Sequence, residues 1–228
     1  MIINKGTMYL SGGGDSDQTT ILDTLFINSL PKKEILYIPI AMERDVIGYE
    51  ACYDWLTNVV SRLSSDFFDI SMILNLEEIK NIKKFPAIYI GGGNTYKLLK
   101  AINQSGFSEI LRDYIQSGGI VYGGSAGAII LGKDISAVID ENTKYNYNSS
   151  IGLSLIGKYS IICHYEEGKN ERIVNYLGRN NNPVIAIPEG VGLVVKDNSM
   201  TVVGVGPITI FEDKHSSKKV MPGTKLVI

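Results

Sequence analysis

The chain has 228 residues, 44% hydrophobic and 20% charged, which is ordinary globular composition and enough for one sizeable α/β domain spanning 1–228. Its net charge of −2 and pI near 5.8 exclude a general nucleic-acid footprint. The most basic segment, Lys214 to Lys219, is interrupted by serines and reads as a solvated turn. Met1 to Leu10 is too briefly apolar for a secretory segment before it meets Ser11-Gly12-Gly13-Gly14, and no run approaches the roughly 20 apolar residues of a membrane span. Cys52 and Cys163 form no CxxC pair and read as reduced thiols of a cytoplasmic protein, without membrane partners.

In chain order, short apolar runs with the composition of buried strands occur at Met8–Leu10, Ile35–Ile38, Ala87–Ile90, Ile120–Tyr122 and Val184–Ile187. Between them, Thr19–Leu30, Val46–Leu63, Thr95–Ile102, Phe107–Gln116 and Glu171–Leu177 carry apolar residues at helical spacing. Strand alternating with helix predicts the α/β class, a mostly parallel sheet covered on both faces. After Glu189 the helical spacing stops. Gly192–Val195, Met200–Val205, Pro207–Phe211 and Leu226–Ile228 predict antiparallel strands or hairpins at one edge of that sheet.

The segment Gly123-Gly124-Ser125-Ala126-Gly127 follows a strand with the pattern G-x-S-x-G. A nucleophilic serine on a sharp strand-to-helix turn needs small neighbours there, and the turn aims the Ala126 N–H at a developing oxyanion, next to the positive end of the following helix. Taken alone, the same residues describe a serine that merely caps a helix. Two histidines narrow the choice of base. His215 lies in the polar turn Glu212–Ser217, whereas His164 follows the apolar run Tyr159–Cys163 at a strand end, where open α/β sheets assemble their sites. A third member must be a carboxylate that orients the imidazole. Glu189, between Pro188 and Gly190 at another strand end, is favoured over Asp140, which stands in a polar stretch. Two histidines without nearby ligand spacing build no zinc site, and Gly91-Gly92-Gly93-Asn94 lacks both the G-x-G-x-x-G spacing and the P-loop lysine of a nucleotide cradle, so neither metal nor cofactor is expected.

Together, the elbow at Ser125, the upstream run Ile90-Gly91-Gly92-Gly93-Asn94-Thr95, His164-Tyr165 and Ile187-Pro188-Glu189-Gly190 resemble the S51 peptidases, the family of aspartyl dipeptidases (peptidase E) and cyanophycinases. The motifs fall in the family's order and cover roughly Tyr89 to Gly190. The resemblance implies a three-layer α/β/α fold like that of class I glutamine amidotransferases and serine hydrolysis of short peptides. It also implies Ser125 as nucleophile, His164 as base, and Glu189 as the carboxylate, with Asp140 where an aspartate has alternatively been assigned. Gly93 then supplies the second oxyanion donor beside Ala126. Two readings compete: a non-catalytic ligand-binding protein on the same scaffold, and hydrolysis of a different amide such as a branched polymer. A homodimer is one candidate assembly. The acidic pair Glu166 and Glu167 disfavours an acidic substrate unless Lys169 or Arg172 offsets it.

Overall fold

The computed structural model describes residues 5–43, 45, 47–79, 81–138, 145 and 147–228. Five strands run parallel: β1 (Thr7–Ser11), β2 (Glu34–Ile38), β3 (Asp69–Met72), β4 (Ala87–Ile90) and β5 (Ile120–Gly124). They lie in the order β3-β2-β4-β5-β1. Three antiparallel strands, β8 (Val191–Lys196), β9 (Ser199–Gly204) and β12 (Lys225–Val227), extend the sheet beyond β1, as the turn-punctuated tail predicts. The β8–β9 hairpin turns at Asp197 and Asn198, both with positive φ (51° and 56°), the conformation a tight two-residue hairpin demands and these residue types tolerate.

Side chains alternate across the parallel strands, and each set has its own cover. Tyr9, Ile35, Tyr37, Ala87, Tyr89 and Tyr122 pack under α1 (Thr20–Ser29) and α2 (Tyr49–Leu63) through Leu22, Phe26, Cys52, Leu56 and Val60. Met8, Leu10, Leu36, Ile38, Ile88, Ile90 and Val121 face α3 (Thr95–Gln104), α4 (Phe107–Gln116) and α5 (Ala126–Ile129), among them Leu98, Leu99, Leu111, Ala128 and Ile129. The result is the three-layer α/β/α arrangement. Apolar runs without polar alternation suit strands buried on both faces.

A second, four-stranded sheet lies on the α3–α5 side, with the order β11-β10-β7-β6. It comprises β6 (Ser160–Ile162), β7 (Val184–Ala186), β10 (Ile208–Asp213) and β11 (Ser216–Val220). Ile161, Ile185, Ile208, Ile210 and Val220 share the hydrophobic cluster of the main sheet's lower face. On its other side, α6 (Glu171–Leu177) contributes Ile173, Tyr176 and Leu177 against Val184, Ala186 and Phe211.

This second sheet departs from the sequence reading. The run Val184–Ile187 does form a strand, but it pairs with β6 and β10 and not within the main sheet. The β10–β11 hairpin likewise leaves the main edge, and an apolar run identifies a strand without naming its partner. Strand β3 was also invisible, because Asp69-Ile70-Ser71-Met72 is a short alternating edge segment. The expected Val46–Leu63 helix starts at Tyr49 with Gly48 as its N-cap, and Val46 lies outside the described residues. Among the described residues no helix is long and apolar enough to cross a membrane.

Candidate active site

Strands β1, β4 and β5 end side by side, and the loops beyond their carboxyl ends build the site. Ser125 follows β5 with φ 48° and ψ −107°, a backbone conformation that side-chain-bearing residues rarely hold. The chain turns back so tightly that a Cβ added to Gly127 would stand 2.3 Å from the Ile90 carbonyl oxygen. This is the physical reason for glycine in the elbow. Helix α5 is a single turn of 4 residues, shorter than the run after Ser125 suggests, so the Ala126 N–H itself matters more than a helix dipole.

Ser125 Oγ and His164 Nε2 are 2.8 Å apart. His164 Nδ1 and Glu189 Oε1 are also 2.8 Å apart. His164 leaves β6 with φ 53°, and Glu189 is held at the start of the β7–β8 turn by Pro188 and by Gly190, whose φ is 70°. The imidazole and carboxylate are about half exposed (50% and 47%), so this contact gives little stability and its value is orientation. Three of the four residues proposed for the catalytic chain thus come together. The fourth, Asp140, lies outside the described residues.

The loop after β1 connects them, and the sequence reading gave it no role. Ser125 N–H donates to the Ser11 carbonyl (3.1 Å), His164 N–H to the Gly12 carbonyl (2.8 Å) and Gly190 N–H to the Gly13 carbonyl (3.0 Å). Three consecutive carbonyls therefore hold the segments carrying serine, histidine and glutamate in register. The imidazole rests on Gly13, where an added Cβ would stand 2.2 Å from Cε1. The signal available in sequence was three glycines in a row directly after a strand.

Gly91–Gly93 run past the serine, where a Cβ added to Gly92 would stand 3.3 Å from Ser125 Cβ. The loop is anchored by Gly91 N–H to the Ile38 carbonyl (3.0 Å) and by Asn94 N–H to the Ala41 carbonyl (2.9 Å). Asn94 caps α3 by accepting from Lys97 N–H at 2.9 Å, as expected of a polar residue at that helix start. Gly93 and Ser125 border one cavity of about 490 Å3. Its wall was not foreseen either: Met42, Ile47, Ala51, Trp55, Tyr37 and Tyr89 converge on it from β2, β4, α2 and the loop between β2 and α2.

Beneath the cavity Tyr89 stacks on Tyr122 with ring centroids 4.3 Å apart, and Phe26 meets both edgewise. Tyr122 donates to Asp23 Oδ1 at 2.6 Å and Thr19 donates to Asp23 Oδ2 at 2.7 Å. Burial pushes the Asp23 carboxyl above the usual carboxylate range, and the hydrogen bonds from Tyr122 and Thr19 with the charge of Arg62 only partly counter it. Burial also drives the Tyr122 phenol well up, reinforced by the Asp23 charge. On the exposed segment after His164, Glu166 pairs with Lys169 (2.6 Å) and Glu167 with Lys219 (2.6 Å), so the acidic pair is offset locally.

A nucleophile elbow on a three-layer sheet, with an imidazole and a carboxylate in line, defines a serine-type hydrolase. The chain belongs to peptidase family S51, whose description matches residues 8–203, and it is a serine-type peptidase. It is 27% identical over 227 residues to peptidase E of Actinobacillus pleuropneumoniae serotype 5b, covering 92% of this chain and 94% of that protein. It is 28% identical over 204 residues to peptidase E of Shewanella denitrificans, covering 85% of this chain and 84% of that one. Among solved structures, a peptidase from an acI-B1 Actinobacterium shares the fold with a TM-score of 0.74 at 20% identity, over 98% of this chain and 97% of that one.

Proposed function

We propose that the protein hydrolyses short peptides through an acyl-enzyme formed on Ser125. The observation that carries this reading is the continuous Ser125–His164–Glu189 chain, with 2.8 Å at each link. His164 Nε2 takes the hydroxyl proton as Oγ attacks the scissile carbonyl, while Nδ1–H donates to Glu189, which fixes the tautomer and balances the imidazolium charge. The N–H groups of Gly93 and Ala126 receive the oxyanion. The imidazolium then gives its proton to the leaving amine. Water, deprotonated by the same nitrogen, releases the acyl group and regenerates the hydroxyl. Asp140 is the rival for the carboxylate role. Burial of two free thiols suits a reducing compartment, and the cytoplasm is the proposed location.

The test is Ser125→Ala on the purified chain, measuring peptide hydrolysis and labelling by a fluorophosphonate probe. Loss of turnover by a factor on the order of 10⁴ or more, with no labelling and an intact circular dichroism spectrum, is the expected result. Activity near that of the unaltered protein overturns the assignment. An inert Ser125 in the unaltered chain favours the non-catalytic binding protein.

A further inference from the structure

The cavity beside Ser125 has a chemical character that its catalytic rim does not explain. We infer that it is the subsite for the acyl-side residue of the peptide, and that it selects an uncharged apolar side chain. The inference rests on the serine peptidase reading of Ser125 and adds the substrate class.

Direction follows from the histidine. The imidazole must reach the leaving amine to protonate it, and it stands on the Gly13 side of Ser125. The leaving group therefore lies on that side. The cavity borders both sides of Ser125, with Gly13, Gly14 and His164 at the leaving-group end; the acyl side chain takes the other end, past Gly91–Gly93 toward Ala51 and Trp55 of α2.

Character follows from the wall. Ala51 and Trp55 stand one turn apart on α2, facing Met42, Ile47 and Tyr89. Trp55 is 38% exposed although its edge packs on Tyr89, with ring centroids 6.2 Å apart. An indole left partly open over an aromatic floor is apolar surface that a ligand side chain can cover. Among the described residues no lysine, arginine, aspartate or glutamate lines the cavity. Lys97, which is not part of the lining, sends Nζ to the Met42 carbonyl and lies over the Tyr49 ring at 5.7 Å. Behind the wall, Asp23 is bound by Tyr122 and Thr19 and supplies no positive charge. An aspartyl or glutamyl side chain placed here would lose its hydration without gaining a cation from the described residues of the wall, whereas Phe, Leu or Met would cover the indole and phenol faces. The volume of about 490 Å3 falls within the usual range for a small-ligand site.

The experiment is kcat/KM of the purified full chain on Xaa-Leu dipeptides with Xaa = Phe, Leu, Met, Ser, Asp and Arg, with fluorophosphonate labelling of Ser125 run alongside. Phe, Leu or Met should exceed Asp and Arg by about 100-fold or more. Equal rates, or a preference for Asp or Arg, overturn the inference. So does hydrolysis of none of the apolar dipeptides while Ser125 still labels, an outcome that leaves the nucleophile in place. Failure of both hydrolysis and labelling overturns the serine reading as well. Two variants tie the preference to this wall. Trp55→Ala should lower the Phe-to-Ser ratio of kcat/KM by about 10-fold, and Ala51→Arg should lower the Phe-to-Asp ratio by at least as much. Ratios unmoved in both variants mean that the acyl side chain binds elsewhere.

Discussion

Replacing Gly13 by alanine tests whether catalysis depends on where the β1 loop sets the imidazole. Gly13 has φ +99°, and its added Cβ would lie 2.2 Å from His164 Cε1 and 2.7 Å from both ring nitrogens. Ordinary contact begins at 3.4 Å, so the ring must retreat by about 1.2 Å from its place against the loop. The 2.8 Å link to Ser125 does not survive that displacement. Misplacing a reacting group by about 1 Å costs about 10²-fold, and losing a general base altogether costs up to about 10⁴-fold. Gly13→Ala should therefore lower kcat/KM by about 10²–10⁴-fold and slow fluorophosphonate labelling in parallel. The unfavourable backbone adds about 1–3 kcal/mol of destabilisation, or a Tm lower by roughly 2–4 °C per kcal/mol for a chain of this size. Gly106→Ala supplies the control. Its φ is +72° with nothing within 4 Å of an added Cβ, so it carries the backbone cost alone and should melt lower with unchanged kinetics. A Gly13→Ala protein that melts like Gly106→Ala yet keeps the unaltered kcat/KM would refute the role given to the loop.

Glu189→Gln keeps the shape at His164 but withdraws the charge, and should reduce kcat by about 10²-fold or more, whereas Asp140→Asn should retain most activity; the reverse ranking in steady-state kinetics assigns the carboxylate to Asp140. Asp23 has a folded pKa above its unfolded value, so the folded state holds its proton more tightly. Its contribution to stability is present at low pH and is lost as pH rises from the unfolded value of 3.8 through the raised folded value. Denaturant titrations should accordingly show the unaltered chain losing stability relative to Asp23→Asn across that window, and parallel curves would contradict the buried-carboxyl account. Burial raises the Cys163 thiol and the residue lines no cavity that holds the substrate, so a thiol reagent should titrate it slowly in native protein and rapidly after denaturation.

Ser125, His164 and Glu189 were legible because each ends a strand beside small or conformationally special residues, and because a chain with two histidines offers few alternatives for a base. The parallel strands were legible for the same kind of reason: Ala87–Ile90 and Ile120–Tyr122 are unbroken apolar runs of strand length. What escaped were the meetings of distant segments that no chemically distinctive side chain marks. Ser11, Gly12 and Gly13 act through backbone carbonyls, which carry no residue signature beyond the room that glycine leaves. The cavity draws Tyr37, Met42, Trp55 and Tyr89 from separate elements, each of which reads alone as ordinary core or surface. The run Val184–Ala186 was visible as a strand, but its partners Ser160–Ile162 and Ile208–Asp213 are set by long-range packing.

The left-handed backbone at Ser125 and His164, with φ 48° and 53°, also bears on how such a chain would drift once hydrolysis was no longer selected. Each of these conformations costs on the order of 1–3 kcal/mol in a residue bearing a Cβ, a penalty that glycine escapes. Relaxed selection would then favour glycine at these two corners, because the change strengthens the scaffold while silencing it. Ser125→Gly should melt above Ser125→Ala, since alanine keeps the strained Cβ. A glycine at that corner would keep the scaffold and remove the nucleophile in one change.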